Sequence, residues 1–62
     1  MEKVNLNGAD EKELQKIIHI GPVRAAKIVK RRPYKDIYEL SNVLGLGTKR
    51  MNQIFEQDLI KV

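Results

Sequence analysis

The chain has 62 residues, room for one domain with a modest core. It has no cysteine, which excludes disulfides and thiolate metal sites, and its 42% apolar content is too high for a disordered chain. Twelve Lys and Arg against eight Asp and Glu give a net charge of +4, which favours polyanions, nucleic acid before anionic membrane; no run of eighteen apolar residues is present to span a bilayer, and Met1–Asn5 lacks a signal-peptide core.

Four helices are readable in chain order. The first opens at Asp10, where Asp10 and Glu13 have the D-x-x-E spacing of a capping box. Leu14, Ile17 and Ile18 follow at i, i+3, i+4 and predict one apolar face. Pro22 opens the second helix, since its missing N–H costs nothing in a first turn. Ala25, Ile28 and Val29 form its buried stripe, while Arg24, Lys27 and Arg31 fall on a different face. Pro33 ends it. Arg24, Lys27, Lys30, Arg31, Arg32 and Lys35 make residues 24–35 basic with no acid among them.

The third helix opens at Asp36, with Glu39 repeating the capping pattern and Leu40, Val43 and Leu44 repeating the apolar face. The fourth begins at Thr48, read as its cap. Met51, Ile54 and Phe55 face inward and Lys49, Arg50, Gln53 and Gln57 outward. Tyr38 is expected in the core and Tyr34 on the surface. The flanks Val4-Asn5-Leu6-Asn7 and Leu59-Ile60-Lys61-Val62 alternate apolar and polar residues. They either pair as short extended segments or, as the favoured reading, let Leu6 and Leu59 plug the ends of the core.

The chain repeats itself. Leu14/Leu40, Gly21/Gly47, Arg24/Arg50 and Ile28/Ile54 are identical at a constant offset of 26, and the Asp10/Asp36 starts obey it too. The repeat predicts one domain over residues 1–62 built from units 10–32 and 36–58, each a helix, a tight turn and a second helix. Gly45-Leu46-Gly47 sits between two such helices. Two glycines two apart let the backbone take positive φ and come close to a ligand. The amides of such a turn, with the free N–H groups of the next helix, suit an anion such as phosphate. Leu46 is expected to point into the core and anchor the turn.

Val4-Asn5-Leu6-Asn7, Glu13-Leu14, Ile20-Gly21-Pro22 and Gly45-Leu46-Gly47 together resemble the tandem helix-hairpin-helix domain of the ComEA competence family, over nearly the whole chain. The resemblance implies an all-α, SAM-like bundle of four to five short helices, its two units related by a pseudo-twofold. It also implies sequence-independent binding of double-stranded DNA, with backbone amides on phosphates of the two strands. The matching positions are Ile20, Gly21, Val23 and Arg24 in the first hairpin, and Gly45, Gly47, Thr48, Lys49 and Arg50 in the second. Lys27 adds charge beside the first. Competence, DNA repair, or service to a fused or associated catalytic domain would all fit such a module.

Three positions depart from the family pattern. His19 stands at the first glycine of the first hairpin and is read as a turn residue, with donation to phosphate as the alternative. Met51 replaces a small residue that Ala25 keeps in the first copy. The short segment Arg31-Arg32-Pro33-Tyr34 should end the second helix early. The second hairpin is therefore expected to be the better phosphate nest, and Arg24–Arg32 the stronger field.

No enzyme is expected. The chain has one His, no Ser near a base, and no G-x-x-x-x-G-K loop after a strand. No catalytic residue, metal ligand or cofactor is assigned; hairpins of this kind can hold a monovalent cation on backbone carbonyls, which the sequence does not show. The alternatives are a protein-docking module, marked by an exposed apolar patch, and a helix-turn-helix reader of bases, which needs one recognition helix. DNA binding instead requires Arg24, Lys27, Lys49 and Arg50 to share a face with both hairpins.

Overall fold

A computed structural model describes residues 2–62. In order they form strand β1 (Val4–Asn5), helix α1 (Glu11–Leu14), helix α2 (Pro22–Lys30), a 3-10 turn (Ile37–Glu39), helix α3 (Leu40–Leu44), helix α4 (Thr48–Gln57) and strand β2 (Ile60–Lys61). The fold is the expected all-α bundle, with one small addition at its ends.

That addition is a two-stranded parallel sheet, with Val4 opposite Ile60 and Asn5 opposite Lys61. The Val4 amide donates to the Leu59 carbonyl at 2.6 Å, and the Leu6 amide to Lys61 at 2.8 Å. The flanks therefore pair rather than merely plug the core. Leu6 is fully buried even so, but its C-terminal companion inside is Ile60, while Leu59 is only half-buried.

Capping sets where the helices begin. The Asp10 carboxylate accepts from the Glu13 amide at 2.8 Å, and the Asp36 carboxylate from the Tyr38 and Glu39 amides at 3.0 and 3.2 Å. Neither box closes as expected. Glu39 accepts from the Lys35 amide instead of that of Asp36. After Leu14 the chain tightens: the amides of Lys16, Ile17 and Ile20 donate three residues back, to Glu13, Leu14 and Ile17. At three residues per turn, i, i+3 and i+6 share a face. Leu14, Ile17 and Ile20 are buried accordingly, and Ile18, expected inside, is 42% exposed. Its amide is taken by Gln57 Oε1 at 3.0 Å.

The two tyrosines exchange their expected places. Tyr34 is buried, its hydroxyl donating to the Ile28 carbonyl at 2.7 Å, and its backbone is clasped in both directions by the Asn7 amide group. Burial raises its pKa above the ordinary 10, opposed by the nearby Arg32 and Arg31 charges and reinforced by Glu39. Tyr38 is exposed and lies on Phe55, with ring centroids 5.0 Å apart. Leu6, Leu14, Ile17, Ile28, Leu40 and Ile54 are the large side chains sealed from solvent, each contributing about 1.5–3 kcal/mol by burial. The core draws matched positions from both units: Leu14 with Leu40, Ala25 with Met51, Ile28 with Ile54.

Candidate nucleic-acid interface

The same backbone turn occurs twice. His19 has φ 68° and Gly45 φ 65°, at equivalent positions of the repeat. Of the two glycines in the second turn, only Gly45 uses the left-handed region; Gly47 is extended at φ −67°, ψ 163°. Next comes an apolar anchor, Ile20 buried and Leu46 half-buried against the core. Gly21 and Gly47 then sit at the N-caps of α2 and α4. Thr48, expected to cap, is instead the first helical residue of α4.

Neither helix has a side-chain cap. The first intrahelical acceptors, Gly21 and Gly47, serve the Ala25 and Met51 amides at 2.9 and 3.1 Å. This leaves Val23 and Arg24 at the start of α2, and Thr48, Lys49 and Arg50 at the start of α4, without an acceptor among the described residues. The difference in number is Pro22, which has no N–H. A Cβ built on Gly21 or Gly47 meets nothing within 4 Å, so no neighbour is packed against either N-cap on that side. Free amides and the helix dipole together attract anions.

Side chains reinforce the positive field. His19, Arg24, Leu46 and Arg50 line one open cleft of about 360 Å³, which brings the repeat-related arginines together between the hairpins. Gly21, Pro22, Val23, Arg24, Lys27 and Leu44 line a second, of about 350 Å³, with Arg24 in the shared wall. Lys49 is exposed at the start of α4 but lines neither cleft. Val23 is 72% exposed, whereas Ile20 is buried and its amide is already bonded to the Ile17 carbonyl at 3.1 Å. The Lys3–Asp58 contact is the one ion pair among the described residues, so no carboxylate neutralises Arg24, Lys27, Lys49 or Arg50 there.

His19 is bound inside the protein. Its Nε2 lies 2.6 Å from Gln53 Oε1 on α4, tying the first turn to the second unit. Because an amide oxygen only accepts, Nε2 donates in this pair. Arg24 Nη1 lies 3.5 Å from the His19 carbonyl, so a cation on that carbonyl would meet a like charge. Gln53 was legible only as an outward polar residue, and nothing in its spacing points to His19. The described residues contain no group of three His, Cys, Asp or Glu suited to a metal, and no helix of the structure is long and apolar enough to cross a membrane.

Two turns of one shape, each opening an uncapped helix towards solvent, define a tandem helix-hairpin-helix domain. The chain matches the family model for the helix-hairpin-helix motif over residues 1–57 and belongs to that family. No curated protein matches it. The motif is commonly a non-specific DNA-binding element.

Proposed function

We propose that the domain binds double-stranded DNA without regard to sequence, as the ComEA-like domains it resembles do. The observation that carries this reading is the pair of open, uncapped helix N-termini set 26 residues apart, with Arg24 and Arg50 between them. Each hairpin offers amides to a phosphate; Lys27, Lys49 and Arg50 supply charge that is not tied to a geometry, and Arg24 supplies charge held against the His19 carbonyl. Phosphate contacts position a protein without reading bases. The domain acts as a binding module with no chemistry of its own, in DNA uptake, in repair, or as the DNA-holding part of a larger catalytic assembly.

Fluorescence anisotropy with an unrelated-sequence duplex tests the reading. The expected affinity is roughly micromolar or weaker, nearly independent of sequence and falling steeply with salt. No binding at low salt overturns it. The duplex should also be recovered uncut after incubation with magnesium.

A docking role has one observation in its favour, the exposed Tyr38 ring on Phe55. Loss of a protein partner on Tyr38→Ala, with no DNA binding by the intact chain, would establish it instead.

A further inference from the structure

We propose that Lys27, Lys30 and Arg31 form a second phosphate track along α2, which takes phosphates of the duplex beyond those held at the first hairpin. The proposal rests on the DNA-binding reading and extends its footprint. These residues and Val43 line a separate cleft of about 220 Å³ between α2 and α3, and no carboxylate lines it. Lys27 belongs both to this cleft and to the one at Gly21, so the two are joined by a common wall. The cations are exposed, and none has a side-chain hydrogen bond or ion pair among the described residues.

Arg32, the next basic residue, shows the contrast. Its guanidinium turns inward and donates to the carbonyls of Leu6 and Ala9. The basic run thus divides into cations committed to the fold and cations left to solvent, and the free ones lie in line with the hairpin. From Arg24 to Arg31 the helix rises about 10 Å, at about 1.5 Å per residue. One DNA strand presents a phosphate about every 3.4 Å of axis, so the track reaches a few nucleotides beyond the hairpin. A compact anion would fill one cleft and leave the other empty, whereas a linear polyanion serves both. A lipid surface would call for apolar anchors along the track; the α2–α3 cleft has only half-buried Val43, and the exposed Val23 stands apart from it at the hairpin cleft.

The test is salt-dependent anisotropy on the intact chain with a mixed-sequence duplex. Lys30→Ala with Arg31→Ala should lower affinity roughly 10- to 100-fold near 0.1 M salt, and should make the slope of log affinity against log salt shallower by about 2. Lys12→Ala with Lys61→Ala removes the same charge elsewhere and should do much less. If the wild type binds and the Lys30/Arg31 variant keeps its slope, the track is overturned while the hairpin reading stands. No binding by the wild type overturns both. Equal losses in the two double variants overturn the track in favour of net charge. Wild-type binding to phosphatidylserine vesicles, lost in the Lys30/Arg31 variant while its DNA slope is unchanged, overturns it in favour of a lipid surface.

Discussion

At the first hairpin the left-handed residue is His19 and the next helix starts with proline. At the second the same positions hold Gly45 and Thr48. The left-handed φ nevertheless agrees within a few degrees, 68° against 65°. The left-handed turn is therefore set by what packs on the core on either side of it, buried Leu14 and Ile20 in one copy, buried Leu40 and half-buried Leu46 in the other, and not by the glycine. Glycine lowers the strain of a path that packing imposes. The chemistry of the two turns differs where this φ does not. At the start of its second helix the first hairpin keeps two free amides, with an arginine leaning on its own turn and an imidazole bonded to Gln53. The second keeps three at the corresponding helix start, with no side chain bonded across them.

The largest expected effect tests whether the second hairpin dominates. Lys49→Glu with Arg50→Glu should reduce DNA affinity by more than about 100-fold with helicity intact, and the charge-matched Arg24→Glu with Lys27→Glu by less, because the first helix start has fewer free amides. Equal losses, read by anisotropy, would break the asymmetry.

A subtler pair separates amides from charge. Gly47 already has the extended backbone of an N-cap, so Gly47→Ser places a hydroxyl on the amides a phosphate would use. Stability should rise by about 0.5–1 kcal/mol, from the new cap and the less flexible unfolded chain. DNA affinity should nonetheless fall by about tenfold, if one charge-assisted phosphate contact of about 1.5 kcal/mol is lost. Gly21→Ser should show the same opposition at smaller amplitude. Thermal melts beside anisotropy would expose a stabilised variant that still binds as before, which would remove the amides from the interface.

Strain gives a third contrast. Gly45→Ala should cost about 1 kcal/mol, since its φ of 65° is left-handed. His19→Gly relieves comparable strain but loses the Gln53 bond and loosens the unfolded chain, so urea melts should show a change within about 0.5 kcal/mol of zero. The smallest effect belongs to the segment between the two units. The raised Tyr34 pKa means that the folded state holds the phenolic proton more tightly than the unfolded state. Stability from this group is complete below pH 10 and declines as pH rises above it. Alkaline melts should show this decline in the wild type and not in Tyr34→Phe.

Much of this was legible because it is local. Asp10, Asp36 and Pro22 mark helix starts by their own backbone chemistry, and the constant offset carried the pattern from one copy to the other. What escaped depends on distant partners. Tyr34 is buried because Asn7 and the Ile28 carbonyl receive it, and Arg32 is internal because Leu6 and Ala9 leave carbonyls unpaired nearby. Ile18 faces outward because the first helix tightens after one turn, which helical spacing does not foresee. Thr48 resembles a cap by residue type, yet the extended backbone falls one residue earlier, at Gly47. For the interface, the sequence marked the residues, but the fold was needed to show Arg24 as the wall between two clefts.

The strands at the two ends of the chain run in the same direction. A pull on β1 from its N-terminal side and on β2 from its C-terminal side therefore slides one strand along the other, and the ladder's hydrogen bonds are loaded together in shear rather than peeled one at a time. Everything between the strands, both hairpins included, is shielded from the force until the ladder gives way. A domain gripping a long polymer while tethered through its ends would keep its hold under tension for as long as those few bonds last.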